Sequence, residues 1–143
     1  MARWMIGMAA LLALPSFAAM AACKPDPPRE QLARLVAFPT VAGRGQARPM
    51  AEYLAGQLRC AGFDAADIAI LPVGDTVAMQ VRYRAAPGAT KAPVVLLAHM
   101  DVVDATPADW TSDPWTLTED AGLLRGRGVV DNKYGVLAIT HAF

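Results

Sequence analysis

An apolar run with no polar alternation, PVVLLAHMDVV at residues 93–103, constrains this chain more than any other stretch. Val94, Val95, Leu96 and Leu97 leave neither face for water, so the run is expected as a strand covered on both sides, as in the parallel sheet of an α/β domain. Ligands of such sheets bind in the crevice beyond the carboxyl ends of the strands. His99 is the first ionisable side chain after the run, which places it where ligands gather. In extended chain, residues two apart face the same way. The Asp101 carboxylate can therefore accept a hydrogen bond from one ring nitrogen of His99 and leave the other for a metal ion. The plainer reading of these residues is a satisfied histidine at a strand end, with Asp101 capping a turn.

Further along, GRGVVDNKYG sets Asp131 after Gly126 and Gly128 and ahead of an expected helix N-terminus. Glycine opens backbone conformations closed to other residues, and a carboxylate at such a bend can bridge two cations. It can equally serve as an ordinary N-cap, since Asp is favoured there with or without a metal. Spacing alone leaves both readings open.

With 143 residues, 55% of them hydrophobic, the chain has material for one modest domain or a piece of one. Its 13 basic and 13 acidic residues cancel, and no Lys/Arg cluster could neutralise a row of phosphates, so nucleic acid is not an expected partner. Residues 1–22 combine Arg3, an apolar core ending near Phe17 and small residues around Ala19 to Ala22, the layout of a secretory signal peptide. The apolar part is short and Pro15 interrupts it, which disfavours a retained membrane helix. Export to a bacterial-type periplasm is the expectation, with the mature domain spanning 23–143. Cys23 leaves two alternatives. Following Met-Ala-Ala it looks like a lipoprotein processing site, and a lipid there would tether the domain to a membrane through the spacer KPDPP. Otherwise a disulfide with Cys60 is conceivable in an oxidising compartment.

Asp26, Pro27 and Pro28 make a helix start, Leu32, Leu35 and Val36 share a face, and Pro39 ends the segment. A second helix is expected from Ala47 to Cys60, where Met50, Leu54 and Leu58 repeat at helical spacing before Gly62. Two strands, 68–73 and 77–84, flank Gly74-Asp75 as a hairpin. Residues 102–122 read as a long irregular loop. After Asp131 a helix is expected, its apolar residues Val136, Leu137, Ile139 and Ala142 running on without a stop signal, which is expected of an incomplete domain.

Together, LLAHMDVV and then DWTSDPWTLTEDAGLLRGRGVVDNK resemble the N-terminal catalytic half of M20-type zinc aminopeptidases, carboxypeptidases and acylases, and the likeness includes the helix AEYLAGQLRCAGF. The resemblance implies an αβα sandwich around a mixed, largely parallel central sheet, here incomplete. It implies that His99 ligates one metal ion, that Asp101 is the catalytic-site residue orienting that histidine, and that Asp131 bridges two Zn2+ ions. The donor types by themselves would also accept Co2+ or Mn2+. A cis peptide bond at Asp131-Asn132 is implied too, with Asn132 where many relatives carry another acidic residue and Lys133 anchoring the turn. Trp110, Asp113, Pro114 and Trp115 resemble the family's tryptophan and Asp-Pro-aromatic segment; packing is their expected role, a substrate wall the alternative. The DNKYGVLA helix start looks closest to the carboxypeptidase branch acting on N-blocked or dipeptide-like substrates. His141 is not taken as a ligand, because a lone helical histidine is usually surface or core.

The family's adjacent glutamates and its later acidic and histidine ligands have no match in the chain. A catalytic zinc needs about three protein ligands and an activated water, and His99 and Asp131 fall short of that. The expectation is part of an amide-bond hydrolase for dipeptides, peptide C-termini or N-acyl amino acids, with little activity in residues 1–143 alone. A non-catalytic exported binding module and a non-functional truncated product are the alternatives, separable by metal-dependent turnover in a longer reading frame. Nothing in the sequence sets the oligomeric state.

Overall fold

Proline tolerates the first turn of a helix, where its missing N–H costs nothing, and α1 begins that way, running over Pro28–Val36 with Glu30 in its first turn and Arg34 in its last. The computed structural model describes residues 23–142, so the expected signal peptide lies outside the described residues. Helix α2 spans Ala47–Cys60, as its apolar spacing requires, and buries Met50, Ala51, Leu54, Ala55 and Leu58 along one stripe. Leu32, Leu35 and Val36 of α1 meet Met50 and Leu54 of α2 in the core, joined by Val129, Val136 and Leu137 from the C-terminal part. Each such side chain contributes about 1.5–3 kcal/mol by leaving water. The N-terminal segment is fastened to α2 by a Cys23–Cys60 disulfide. It is also held by Asp26, whose N–H donates to Gln57 Oε1 at 2.6 Å and whose carboxylate accepts from Tyr53 Oη at 2.7 Å. Of the two alternatives for Cys23, the structure therefore has the disulfide, and a sulfur bonded in this way cannot carry a thioether-linked lipid. Among the described residues, no helix is long and apolar enough to cross a membrane.

The expected hairpin forms from β1, Ile68–Val73, and β2, Thr76–Val81, with Ile68 opposite Val81 and Val73 opposite Thr76. The second strand stops short of Arg84, and its end is open to water: Val77 is buried, whereas Tyr83 is exposed. A second hairpin, β3 at Thr118–Asp120 and β4 at Leu123–Arg125, lies partly in the stretch read as irregular loop. Its turn places Ala121 at φ 51° and Gly122 at φ 79°, the left-handed pair that matches the twist of a tight hairpin.

The parallel central sheet is not formed among the described residues, because both strand pairings are antiparallel and each sheet has two strands. Residues 93–103 are extended but unpaired, and Val94, Val95, Leu96 and Leu97 are 84, 74, 50 and 88% exposed. The physical reason is that strand-forming residues become a strand only when a neighbour accepts their backbone bonds and covers their faces. The period-two pattern takes hold one step later. Ala98 and Met100 pack against the core and Val102 is buried, while His99 and Asp101 between them face outward.

The last element, α3, covers Tyr134–His141 and follows a wide turn, Val129–Lys133, closed by the Lys133 N–H donating to the Gly128 carbonyl at 2.8 Å. Asp131 (φ −121°, ψ 93°) and Asn132 leave helical conformation inside this turn. The expected helix therefore starts three residues later than Asp131. Val136 and Leu137 are buried as expected, but Ala142 is exposed.

Candidate metal-binding site

Extended backbone at 98–102 turns His99 and Asp101 to the same side. Their side chains meet there: His99 Nδ1 lies 3.2 Å from the Asp101 backbone carbonyl and 3.2 Å from its Oδ1. The other ring nitrogen, Nε2, is 2.9 Å from Asp131 Oδ1 across 32 residues of sequence. All three residues expected at the site are thus brought together, exposed to solvent.

Asp131 reaches this place through its turn. Gly128 has φ +80°, and a Cβ there would lie 2.5 Å from Val102 Cγ1. Only glycine lets the turn close against the His99 segment. The peptide bond after Asp131 is cis, as the family resemblance implies. Lys133 is fully buried and anchors the turn from behind, Nζ donating to the carbonyls of Leu35 at 2.7 Å and Phe38 at 2.5 Å. Those carbonyls belong to the C-terminal end of α1 and the residues just after it, where cations are favoured by the unpaired carbonyl groups. Burial nevertheless pushes the Lys133 pKa down to about 8.

The electrostatics around His99 favour positive charge. Partial burial opposes the imidazolium, but the Asp101 backbone carbonyl and the Asp131 and Asp101 carboxylates outweigh it, and the His99 pKa is raised. With Nδ1–H donating to Asp101, a neutral ring would turn the Nε2 lone pair onto the Asp131 oxygen. Either a proton or a metal ion must sit between them. Zinc bonds of about 2.0–2.2 Å from nitrogen and carboxylate oxygen give tetrahedral donor separations near 3.4 Å. The 2.9 Å separation needs to open by only a few tenths of an ångström to fit them. The pair fits two ligand positions of a metal, not a whole site. Among the described residues no group of three or more His, Cys, Asp or Glu side chains could hold an ion.

Residues 95–143 match the profile of Peptidase family M20/M25/M40. This segment is similar to the M20 family over about a third of the chain. It contains His99, Asp101 and Asp131, so the M20 segment and the side-chain cluster coincide. Over 50 residues the chain is 46% identical to the N-fatty-acyl-amino acid synthase/hydrolase of Mus musculus, covering 35% of this chain and 10% of that protein. Over 54 residues it is 48% identical to the Beta-Ala-His dipeptidase of Homo sapiens, covering 37% of this chain and 11% of the relative. The fold is similar to the crystal structure of human carnosine dipeptidase 1, with a TM-score of 0.56 and 27% identity over 80% of this chain and 27% of that one. The matched segment spans about a tenth of the length of the curated relatives, and the chain covers about a quarter of the solved dipeptidase.

The tryptophan loop is packed by its own polar contacts. Asp113 accepts from Thr116 Oγ1 at 2.7 Å and from the Trp115 N–H at 3.1 Å, which lowers its pKa. Arg127 lies over the Trp110 ring at 5.2 Å, and Arg44 over Trp115 at 5.7 Å. A shallow concavity of about 390 Å³ runs among Trp110, Pro114 and Trp115, and none of His99, Asp101 and Asp131 lines it. His141 bonds Gln31 of α1. Thr40 carries no signal in the sequence, yet it is buried and bonded on both sides of Asp101. No motif marks it, since its partners lie 60 residues away.

Proposed function

We propose that the chain is the N-terminal portion of the catalytic domain of an exported, metal-dependent amide hydrolase, built as an αβα sandwich in the complete protein. The observation that carries this reading is the convergence of His99 Nε2 and Asp131 Oδ1 at 2.9 Å, with Asp101 behind the ring. Zn2+ is the metal this donor pair and the family favour, with Co2+ or Mn2+ as substitutes; when bound, it supplies Lewis acidity toward an amide carbonyl and makes water a better nucleophile. His99 would hold the first ion and Asp131 would bridge both. Asp101 keeps the proton on Nδ1 and thereby presents the Nε2 lone pair outward. The substrate class is a dipeptide or an N-acyl amino acid, on the strength of the relatives' names, a dipeptidase and an N-fatty-acyl-amino acid synthase/hydrolase.

Two donors fall short of the about three that a catalytic zinc takes, so residues 1–143 alone are expected to turn over nothing. Export remains part of the proposal, supported by the leader-like composition of residues 1–22 and by a disulfide that suits an oxidising compartment. The test is expression of a longer reading frame loaded with zinc and assayed on dipeptides and N-acyl amino acids. Turnover should vanish in His99→Ala and Asp131→Ala. Retention of wild-type rates in either variant sinks the assignment.

A further inference from the structure

We propose that Thr40 is a positioning residue for the His99–Asp131 pair, clamping the chain on either side of Asp101 from the connection between α1 and α2. Thr40 is 3% exposed. Its Oγ1 donates to the Met100 carbonyl at 2.5 Å, and its own carbonyl accepts the Val102 N–H at 3.2 Å. Met100 and Val102 flank Asp101, so one residue fixes the backbone through which both His99 and Asp101 are aimed. Residues 93–103 have no strand partner to do this work. Among the described residues, their hydrogen bonds to other segments are these two and the His99–Asp131 pair itself.

The same stretch of chain holds the other half of the site. Lys133, two residues past Asp131, donates to the carbonyls of Leu35 and Phe38, just ahead of Thr40. The histidine segment and the aspartate turn are therefore hung from one short support, residues 35–40, and a shift of that support moves them together. Threonine suits the position because its methyl group can be buried while its hydroxyl satisfies a carbonyl that lacks a ladder partner.

The clamp deepens the metal reading and rests on it only for its purpose, so the test separates the two. In the full chain, nuclear Overhauser contacts between the His99 ring and the Asp131 Hβ protons report the geometry without metal, and Zn2+ titration read from His99 ring shifts reports binding. Thr40→Val keeps the shape and loses the donor; Thr40→Ser keeps the donor. Thr40→Val is expected to lose the contacts and to weaken Zn2+ binding by about tenfold or more, as outer-sphere partners of metal ligands usually do, while Thr40→Ser retains both. Slow hydrogen exchange of the Val102 amide in the wild-type chain, comparable to core amides of α1, is expected whether or not the variants fold. Unchanged contacts and affinity in a folded Thr40→Val, or a Val102 amide exchanging at the rate of free loop, overturns the clamp. Wild-type contacts that vanish in Thr40→Val without any response to Zn2+ support the clamp and end the metal reading instead.

Discussion

At the residue scale, the side chains proposed to hold a metal stand out in the sequence, whereas Thr40, proposed to place them, does not. His99, Asp101 and Asp131 were legible because a histidine after an apolar run and a carboxylate after a glycine bend are rare combinations with a defined chemistry. Thr40 was not, because a threonine in a loop has no pattern until its partners 60 residues away are in place. Lys133 shows a further consequence of such placement. Its ordinary pKa of 10.5 falls to about 8 on burial. Between these values the unfolded chain holds a proton that the folded chain has released, so stability rises with pH across that window, and below about pH 8 the cost of the buried charge is fully in force. Tyr53 sets the upper limit. Burial and its bond to Asp26 raise its pKa above the usual 10, so above about pH 10 it opposes the rise. Denaturant midpoints measured from about pH 7.5 to 10 should therefore climb, and Lys133→Met should flatten the climb. A midpoint that falls over this range contradicts the burial argument.

At the element scale, both long helices were readable because an amphipathic stripe is a local property: α2 falls at Ala47–Cys60, where its apolar spacing and Gly62 put it. The β3–β4 hairpin was not readable, since three residues per strand give no periodicity to count. The stretch Val94–Leu97 has the composition of a buried strand and the exposure of an edge, because composition specifies a tendency and only a neighbouring strand fulfils it. The turn at Gly128 is the element on which the site depends most. Gly128→Ala puts a Cβ against Val102 and demands a left-handed φ of alanine. It should cost about 1–3 kcal/mol of stability, read by urea unfolding, and Val102→Ala in the same chain should return part of it. An Ala variant as stable as wild type would mean that the turn does not close on the His99 segment.

At the scale of the whole molecule, the described residues form three α-helices, two hairpins and the turn before α3, held by one shared core and one disulfide. The Cys23–Cys60 bridge closes a span of 37 residues. Loop-closure entropy assigns such a bridge about 4 kcal/mol, of which native strain and residual structure usually leave 2–4. The paired change Cys23→Ser with Cys60→Ser should lower the unfolding free energy by that amount, and an unchanged denaturant midpoint would contradict the bridge. The pairing itself was only one of two alternatives in the sequence, because two cysteines fix a possibility and the fold fixes the distance. The sheet was the least legible feature, since strand neighbours are set by contacts that no single segment encodes. A cation shared by His99 and Asp131 is the central proposal, and anomalous diffraction at the zinc edge from zinc-soaked crystals tests it most directly. The expected result is a peak about 2.0–2.2 Å from His99 Nε2 and from an Asp131 oxygen, with Asp101 still on Nδ1. Zinc bound elsewhere while His99 and Asp131 stay unliganded, or the two side chains turned away from each other, would contradict it.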